Sequence, residues 1–347
     1  MQKPVIIPIQ KRGLKSFFIY SCLAVLFILG TCLISLWYAV HFAKTPCDLS
    51  AKNKIFFIKP GQDLVTISAK LLDEKLICNR HLFMLMTRFK KDAGSIQAGE
   101  YMLSASMTPE KILDIFVQGK VRLHKIVIPE GLNINATAML VEKAGFGSKE
   151  HFSMLARDKN FVSSMGIKGD SFEGYLFPET YLFPRDISQK DIIIKMVKQF
   201  NRVFTPAWRE RARDMGFSVH QIVTLASMIE KETGQARERP LISSVFHNRL
   251  KKNVRLQSDP TVIYGLSNFN GDITKKDLNT KTPYNTYQIK GLPPGPIANP
   301  GKLSLRAALF PAHTEYLFFV SKNDSTHKFS KNIREHNRAV MKYQLKK

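Results

Sequence analysis

An uninterrupted apolar run near the N-terminus limits this chain more than any other feature. Phe17 to Val40 reads FFIYSCLAVLFILGTCLISLWYAV, without a charged residue. At 1.5 Å rise per residue, a helix of that length spans roughly 36 Å, enough to cross a hydrocarbon core of about 30 Å with some tilt. Lys3, Lys11, Arg12 and Lys15 precede it, which predicts an N-terminus kept in the cytoplasm; Trp37 and Tyr38 sit where an interfacial aromatic anchor belongs. A cleaved signal peptide and a buried core helix are the competing readings. The run is long for a signal segment, and the bulky Trp37–Tyr38 pair stands where cleavage wants small residues. The expectation is a cytoplasmic tail over 1–16, one membrane span over 17–40, and a body outside the cytoplasm.

That placement bears on the charge. The chain carries 52 Lys and Arg against 28 Asp and Glu, a net +24. Such a surplus favours an anionic partner: nucleic acid, lipid surface or acidic polymer. No zinc-finger spacing, RRM-type aromatic motif or long Lys/Arg block is present, and a body outside the cytoplasm meets no nucleic acid, so none is expected as partner. A generally basic, solvated surface is the plainer explanation. The four cysteines form no CxxC pair, and no His/Cys cluster has metal-ligand spacing, so neither metal nor cofactor is expected. Cys22 and Cys32 read as small hydrophobes within the span. Cys47 and Cys78 follow it and can form one disulfide in an oxidising compartment, although nothing in the sequence brings them together.

A short stretch, 41–54, links the span to the body. From Phe56 a β-rich opening, a Pro60–Gly61 turn and Leu64, Ile67 and Leu71 at helical spacing predict a strand–turn–helix unit. A fainter copy runs from Ile126 through Pro129–Glu130–Gly131 to Leu140 and Val141. Gly99 to Tyr101 predicts a strand start. Thr108 and Pro109 predict an N-capped helix ending near Gly119. From about Lys125 onward helical and strand signals mix without a regular βαβ rhythm, giving an α+β class for the whole. The first unit resembles a LysM module, a small fold that binds N-acetylglucosamine-containing chains; a plain packing unit has the same pattern.

Ser218 and Gln221 have capping-box spacing, and Ile222, Leu225, Ala226 and Ile229 form an apolar stripe behind them. The last turn carries Glu230, Lys231 and Glu232, and Thr233–Gly234 closes it. At 100° per residue the two carboxylates border the stripe on opposite sides, with Lys231 turned outward. Desolvation beside the stripe raises a carboxyl's pKa and keeps it protonated for general-acid work, while Lys231, Arg237 and Arg239 act the other way. The spacing does not choose between Glu230 and Glu232. Downstream, Gln257, Asp259, Thr261, Tyr264, Asn285 and Tyr287 lie in polar, aromatic, loop-prone segments suited to gripping sugars, followed by a stiff Pro/Gly stretch. Glu173 sits in an aromatic-rich segment, 172–183, where packing explains its neighbours better than it explains a carboxylate.

Taken in order, FEGYLFPETY, LASMIEKETG, ERPLISSVFHNRL, LQSDPTVIYGL, TPYNTY and GLPPGPIANPG resemble the endolytic murein transglycosylase (MltG, YceG-like) family over roughly residues 50–340. The resemblance implies an inner-membrane enzyme with a periplasmic body. It would have a LysM-like subdomain over 55–124 and a catalytic domain over 125–347. It would cut peptidoglycan glycan strands at the MurNAc–GlcNAc β-1,4 bond to leave 1,6-anhydro ends, alongside cell-wall synthases. It makes Glu230, the first Glu of the EKE triplet, the catalytic acid. Glu173, Gln257, Asp259, Thr261, Tyr264, Asn285 and Tyr287 become candidate substrate contacts. The alternative is a membrane-anchored peptidoglycan-binding protein that cuts nothing.

Overall fold

A computed structural model describes residues 12–345, with side chains from Phe17; most of the expected cytoplasmic tail lies outside the described residues. The chain divides into two compact units, one ending at Leu123 and the other beginning at His124.

The first unit opens with helix α1 (Arg12–Lys44). Its stretch from Phe17 to Lys44 is long and apolar enough to cross a membrane, and none of its most apolar window is buried against protein. The helix therefore runs a turn beyond the expected end of the span, because nothing in His41–Lys44 breaks it. After it come β1 (Lys54–Ile58), α2 (Leu64–Asp73), α3 (Arg80–Phe89), β2 (Gly99–Leu103) and α4 (Pro109–Val117). Strands β1 and β2 pair antiparallel, with Phe56 opposite Tyr101. The predicted cap forms, the Thr108 hydroxyl accepting from Lys111 N–H at the head of α4, and the Asp63 carboxylate likewise accepts from Thr66 N–H at the head of α2. Phe56, Leu71, Phe83, Tyr101 and Phe116 are completely buried between sheet and helices. Each such side chain contributes on the order of 1.5–3 kcal/mol of transfer free energy to a small core of the unit's own. Cys47 and Cys78 are disulfide-bonded, with Cα atoms 5.7 Å apart, so the segment that leaves α1 is tied to the start of α3.

Strand β3 (Leu123–Val127) starts on the last residue of the first unit and leads into the second, which continues with α5 (Ile134–Lys143), α6 (Lys149–Leu155), α7 (Lys159–Ser164), β4 (Thr180–Pro184), α8 (Gln189–Val203), α9 (Pro206–Asp214) and α10 (Val219–Glu232). It continues with α11 (Arg239–Lys251), α12 (Asp259–Gly265), α13 (Lys275–Asn279), α14 (Lys302–Leu309), β5 (Phe318–Ser321), β6 (His327–Ser330) and α15 (Ile333–Val340), ending in a π-turn at Met341–Leu345. Strand β3 pairs with β4, and β5 pairs antiparallel with β6. The whole is a mixed assembly of helices and short strand pairs.

Helix α10 is its centre. The capping box forms in both directions, Ser218 with Gln221 N–H and Gln221 with Ser218 N–H. The sequence predicts one apolar stripe; instead all eight residues from Ile222 to Ile229 are buried. The polar positions on the far side are tolerated because they are satisfied locally. Thr224 donates to His220 O, and Ser227 donates to Thr224 O while accepting from Ile297 N–H. A helix buried all round is held rigidly, and so is whatever its last turn carries.

Candidate active site

The last turn of α10 sends its two carboxylates in opposite directions, as the helical geometry requires. Glu230 faces the starts of α11 and α14. Its Oε1 accepts from Arg239 Nη2 at 2.9 Å, and its Oε2 accepts from the backbone N–H of Gly301, the residue that caps α14, also at 2.9 Å. The Glu230 side chain is only 6% exposed and that of Arg239 7%. A third charge joins them. Glu130, in the turn after β3, brings Oε2 to 3.5 Å from the same Arg239 nitrogen and keeps nearly half of its side chain in solvent. Burial, and then the charge on Glu230, push the Glu130 carboxyl above its usual pKa, against the pull of Arg239.

Glu232 points the other way. It is half-buried and accepts a 2.5 Å hydrogen bond from the Ser258 hydroxyl. Desolvation dominates, with the Asp259 charge adding to it, and the carboxyl is pushed up to about 7. Arg249 and the Ser258 bond oppose that shift without cancelling it.

Two hollows flank α12. The first, a cleft of about 550 Å³, is walled by Gly131, Asn133, Arg157, Glu173, Lys231 and Tyr264, among others. Glu230 is not one of its walls; Gly131 and Lys231 are. A Cβ placed on Gly131 would stand 3.5 Å from Glu230 Cγ, and Lys231 Nζ donates to Gly131 O at 3.4 Å. Glu230 sits just behind this rim. Glu173 is in the cleft wall and is 3% exposed. It accepts from Ile134 N–H at 3.1 Å and from Tyr264 Oη at 3.0 Å. Burial pushes its carboxyl up to about 7, despite both bonds.

The second hollow, about 440 Å³, contains Glu232, Arg249, Gln257, Asp259 and Tyr287, and is closed over by residues of β5, β6 and α15. Tyr287 Oη donates to Asp259 at 2.6 Å, and Arg249 Nη1 donates to Gln257 Oε1 at 3.2 Å.

The expected substrate contacts thus fall into three groups. Glu173 and Tyr264 meet in the first cleft; Gln257, Asp259 and Tyr287 meet in the second. Thr261 and Asn285 line neither hollow. Both are completely buried. Thr261 donates to Ser258 O and bonds the Thr286 hydroxyl. The Asn285 amide is taken up by Leu278 O and Thr280 O, while its Oδ1 accepts from Tyr287 N–H. Their polar atoms brace the loop, since a buried loop must satisfy its backbone from within.

Glu130, Arg157 and Arg249 were not singled out by sequence reasoning. The one available signal for Glu130 was its place in a Pro–Glu–Gly turn, where a charged residue is held beside a glycine that lets backbone approach closely.

Residues 56–342 match the family model described as the YceG-like family, and the chain belongs to that family. A curated relative from Bacillus subtilis (strain 168), named endolytic murein transglycosylase, is 34% identical over 315 residues, covering 86% of this chain and 87% of the relative. A relative of the same name from Streptococcus pneumoniae serotype 2 is 25% identical over 331 residues; the match covers 86% of this chain and 60% of that protein. A 2.6 Å crystal structure of a YceG-like protein from Listeria monocytogenes is 36% identical, covers 83% of this chain and 99% of its own, and superposes with a TM-score of 0.58.

Proposed function

We infer that the chain is an endolytic murein transglycosylase that cuts peptidoglycan glycan strands internally. The observation that carries this is the carboxylate at the end of the central helix, behind the rim of an open cleft, in a family whose curated relatives bear that name.

Glu230 is the acid in this reading. As the bond between C1 of N-acetylmuramic acid and the bridging oxygen breaks, its electron pair stays on that oxygen, which takes the Glu230 proton. The muramic C6 hydroxyl oxygen then bonds to C1, and its proton returns to Glu230. One carboxyl serves both steps, so water is not consumed and the product ends in a 1,6-anhydro ring. Asn133, Arg157 and Tyr264 supply sugar-hydroxyl partners in the cleft, and Gln257, Asp259 and Tyr287 supply them on the far side of α12. The body lies outside the cytoplasm, tethered by the single span. The βααβ order of the first unit supports its role as a LysM-like glycan-binding module. Mass spectrometry of sacculi digested by the full-length protein tests the reaction class. Anhydro-ended fragments are expected; reducing ends would make water the nucleophile, and retention of sacculi without cleavage would make the protein a binder.

A second reading is favoured by one observation. Glu173 stands in the cleft wall with its carboxyl pushed up to about 7, the property expected of a general acid near neutrality. In that reading Glu173 donates the proton and Glu230 organises the rim.

A further inference from the structure

Resting on Glu230 as the acid, the geometry points to a role for Glu130: we propose that it is a positioning residue, which draws Arg239 away from Glu230 so that the freed oxygen can carry the proton the reaction donates.

Both oxygens of Glu230 are occupied as acceptors, one by Arg239 and one by Gly301 N–H. A carboxyl that must donate has to give up one of these bonds. The Gly301 bond comes from backbone at the start of a helix and is fixed. The Arg239 bond comes from a side chain with a second carboxylate already beside it, 3.5 Å from the shared nitrogen. Arg239 is also incompletely used: its Nε is buried and without a hydrogen-bond partner, so the guanidinium has not settled into a full two-pronged pairing with either carboxylate. A small rotation towards Glu130 releases Glu230 Oε1. Space for Glu130 is reserved at Gly301, where a Cβ would overlap the Glu130 carboxyl. Glu130 is half exposed and adjacent to Gly131 in the cleft wall, so substrate filling the cleft would reach its surroundings first.

The other charges around the pair are engaged elsewhere. Lys231 turns to Gly131 O. Lys302 and Arg306 of α14 are exposed. Glu238 at the head of α11 binds His327, and Arg249 of the same helix binds Leu317 O and Leu256 O. Arg211 of α9 binds Leu309 O, and Asp259 of α12 binds Tyr287. Arg239 is the cation hydrogen-bonded to Glu230, and Glu130 is the anion that shares that guanidinium.

Removing that anion leaves Arg239 entirely to Glu230. The test measures the pH dependence of anhydro-product release by the detergent-solubilised full-length protein. In Glu130→Gln, the alkaline limb of kcat should move down by about one pH unit, while activity at the acid end approaches that of the unchanged protein and KM holds. Glu130→Asp, which keeps the charge on a shorter arm, should restore most of the shift and covers the case in which the amide variant folds poorly. An unmoved limb, or an equal loss at every pH, overturns the proposal. Glu230→Gln, assayed alongside, keeps the two ideas apart. If it remains active, the acid assignment fails; if it is dead while the Glu130→Gln limb stays in place, only the role of Glu130 fails.

Discussion

Two residues apart on one helix, Glu230 and Glu232 occupy opposite surroundings. Glu230 is nearly sealed from solvent, yet it has a guanidinium and a helix-capping N–H at hydrogen-bond distance. Glu232 is half-buried at the second hollow with the Ser258 hydroxyl as a hydrogen-bond partner, and its carboxyl is pushed up to about 7. The end of α10 thus gives one carboxylate a hydrogen-bonded guanidinium and the other a hydrogen-bonded hydroxyl, with Arg249 in the same hollow.

Substitutions on the two sides of the helix should have unequal effects. The largest effect is expected on chemistry: Glu230→Gln should lower the rate of glycan cleavage by ~10²–10⁴ or more, because one group serves two steps, whereas Glu232→Gln should leave most of it. Equal losses would make the two sides equivalent. Next comes Arg239→Met, which leaves Glu230 buried without its cation. A loss of about 3–5 kcal/mol in unfolding free energy is expected from chemical denaturation, and a loss below about 1 kcal/mol would mean that Glu230 is solvated after all.

A smaller effect is expected from Glu232→Gln. Because its folded pKa is raised from 4.5 to about 7, Glu232 costs no stability below its unfolded pKa, and the penalty grows as pH rises through about 7. Replacing it should flatten the fall in stability between pH 5 and pH 8 by at most about 3 kcal/mol, less whatever solvent screens. Glu173, pushed up to about 7 as well, should behave alike. The smallest effect belongs to Ser258→Ala. Losing the bond that favours ionised Glu232 should shift its titration further upward, at a cost of about 1–2 kcal/mol in stability. A downward shift would mean that the hydroxyl serves the neutral acid.

Much of the scaffold was legible because it is local. The Ser218–Gln221 box, the Thr108 cap with Pro109, and the strand–turn–helix units at 56–72 and 126–141 are set by neighbours in sequence, and they form as read. The resemblance pointed to Glu230, whereas the helical wheel could only say that the two carboxylates part company. What was not legible is tertiary. No local pattern encodes the meeting of Glu130 with Arg239, which the β3 turn and the head of α11 bring together. Nor does composition distinguish Tyr287, which opens on a hollow, from Asn285 two residues earlier, whose amide is spent on the loop's own carbonyls. Polar loop residues look alike in sequence whether they face a ligand or replace water inside the fold. The burial of α10 on all sides was hidden for a related reason: Thr224 and Ser227 look like a solvated face until their partners are seen.

In this mechanism the carboxyl beside Arg239 gives up the proton. The most direct measurement compares fragments released from purified sacculi by full-length Glu230→Gln and Glu173→Gln, each shown to be folded by its thermal transition. Anhydro-ended fragments should vanish with the first and persist with the second; their persistence in Glu230→Gln and disappearance in Glu173→Gln would contradict the account.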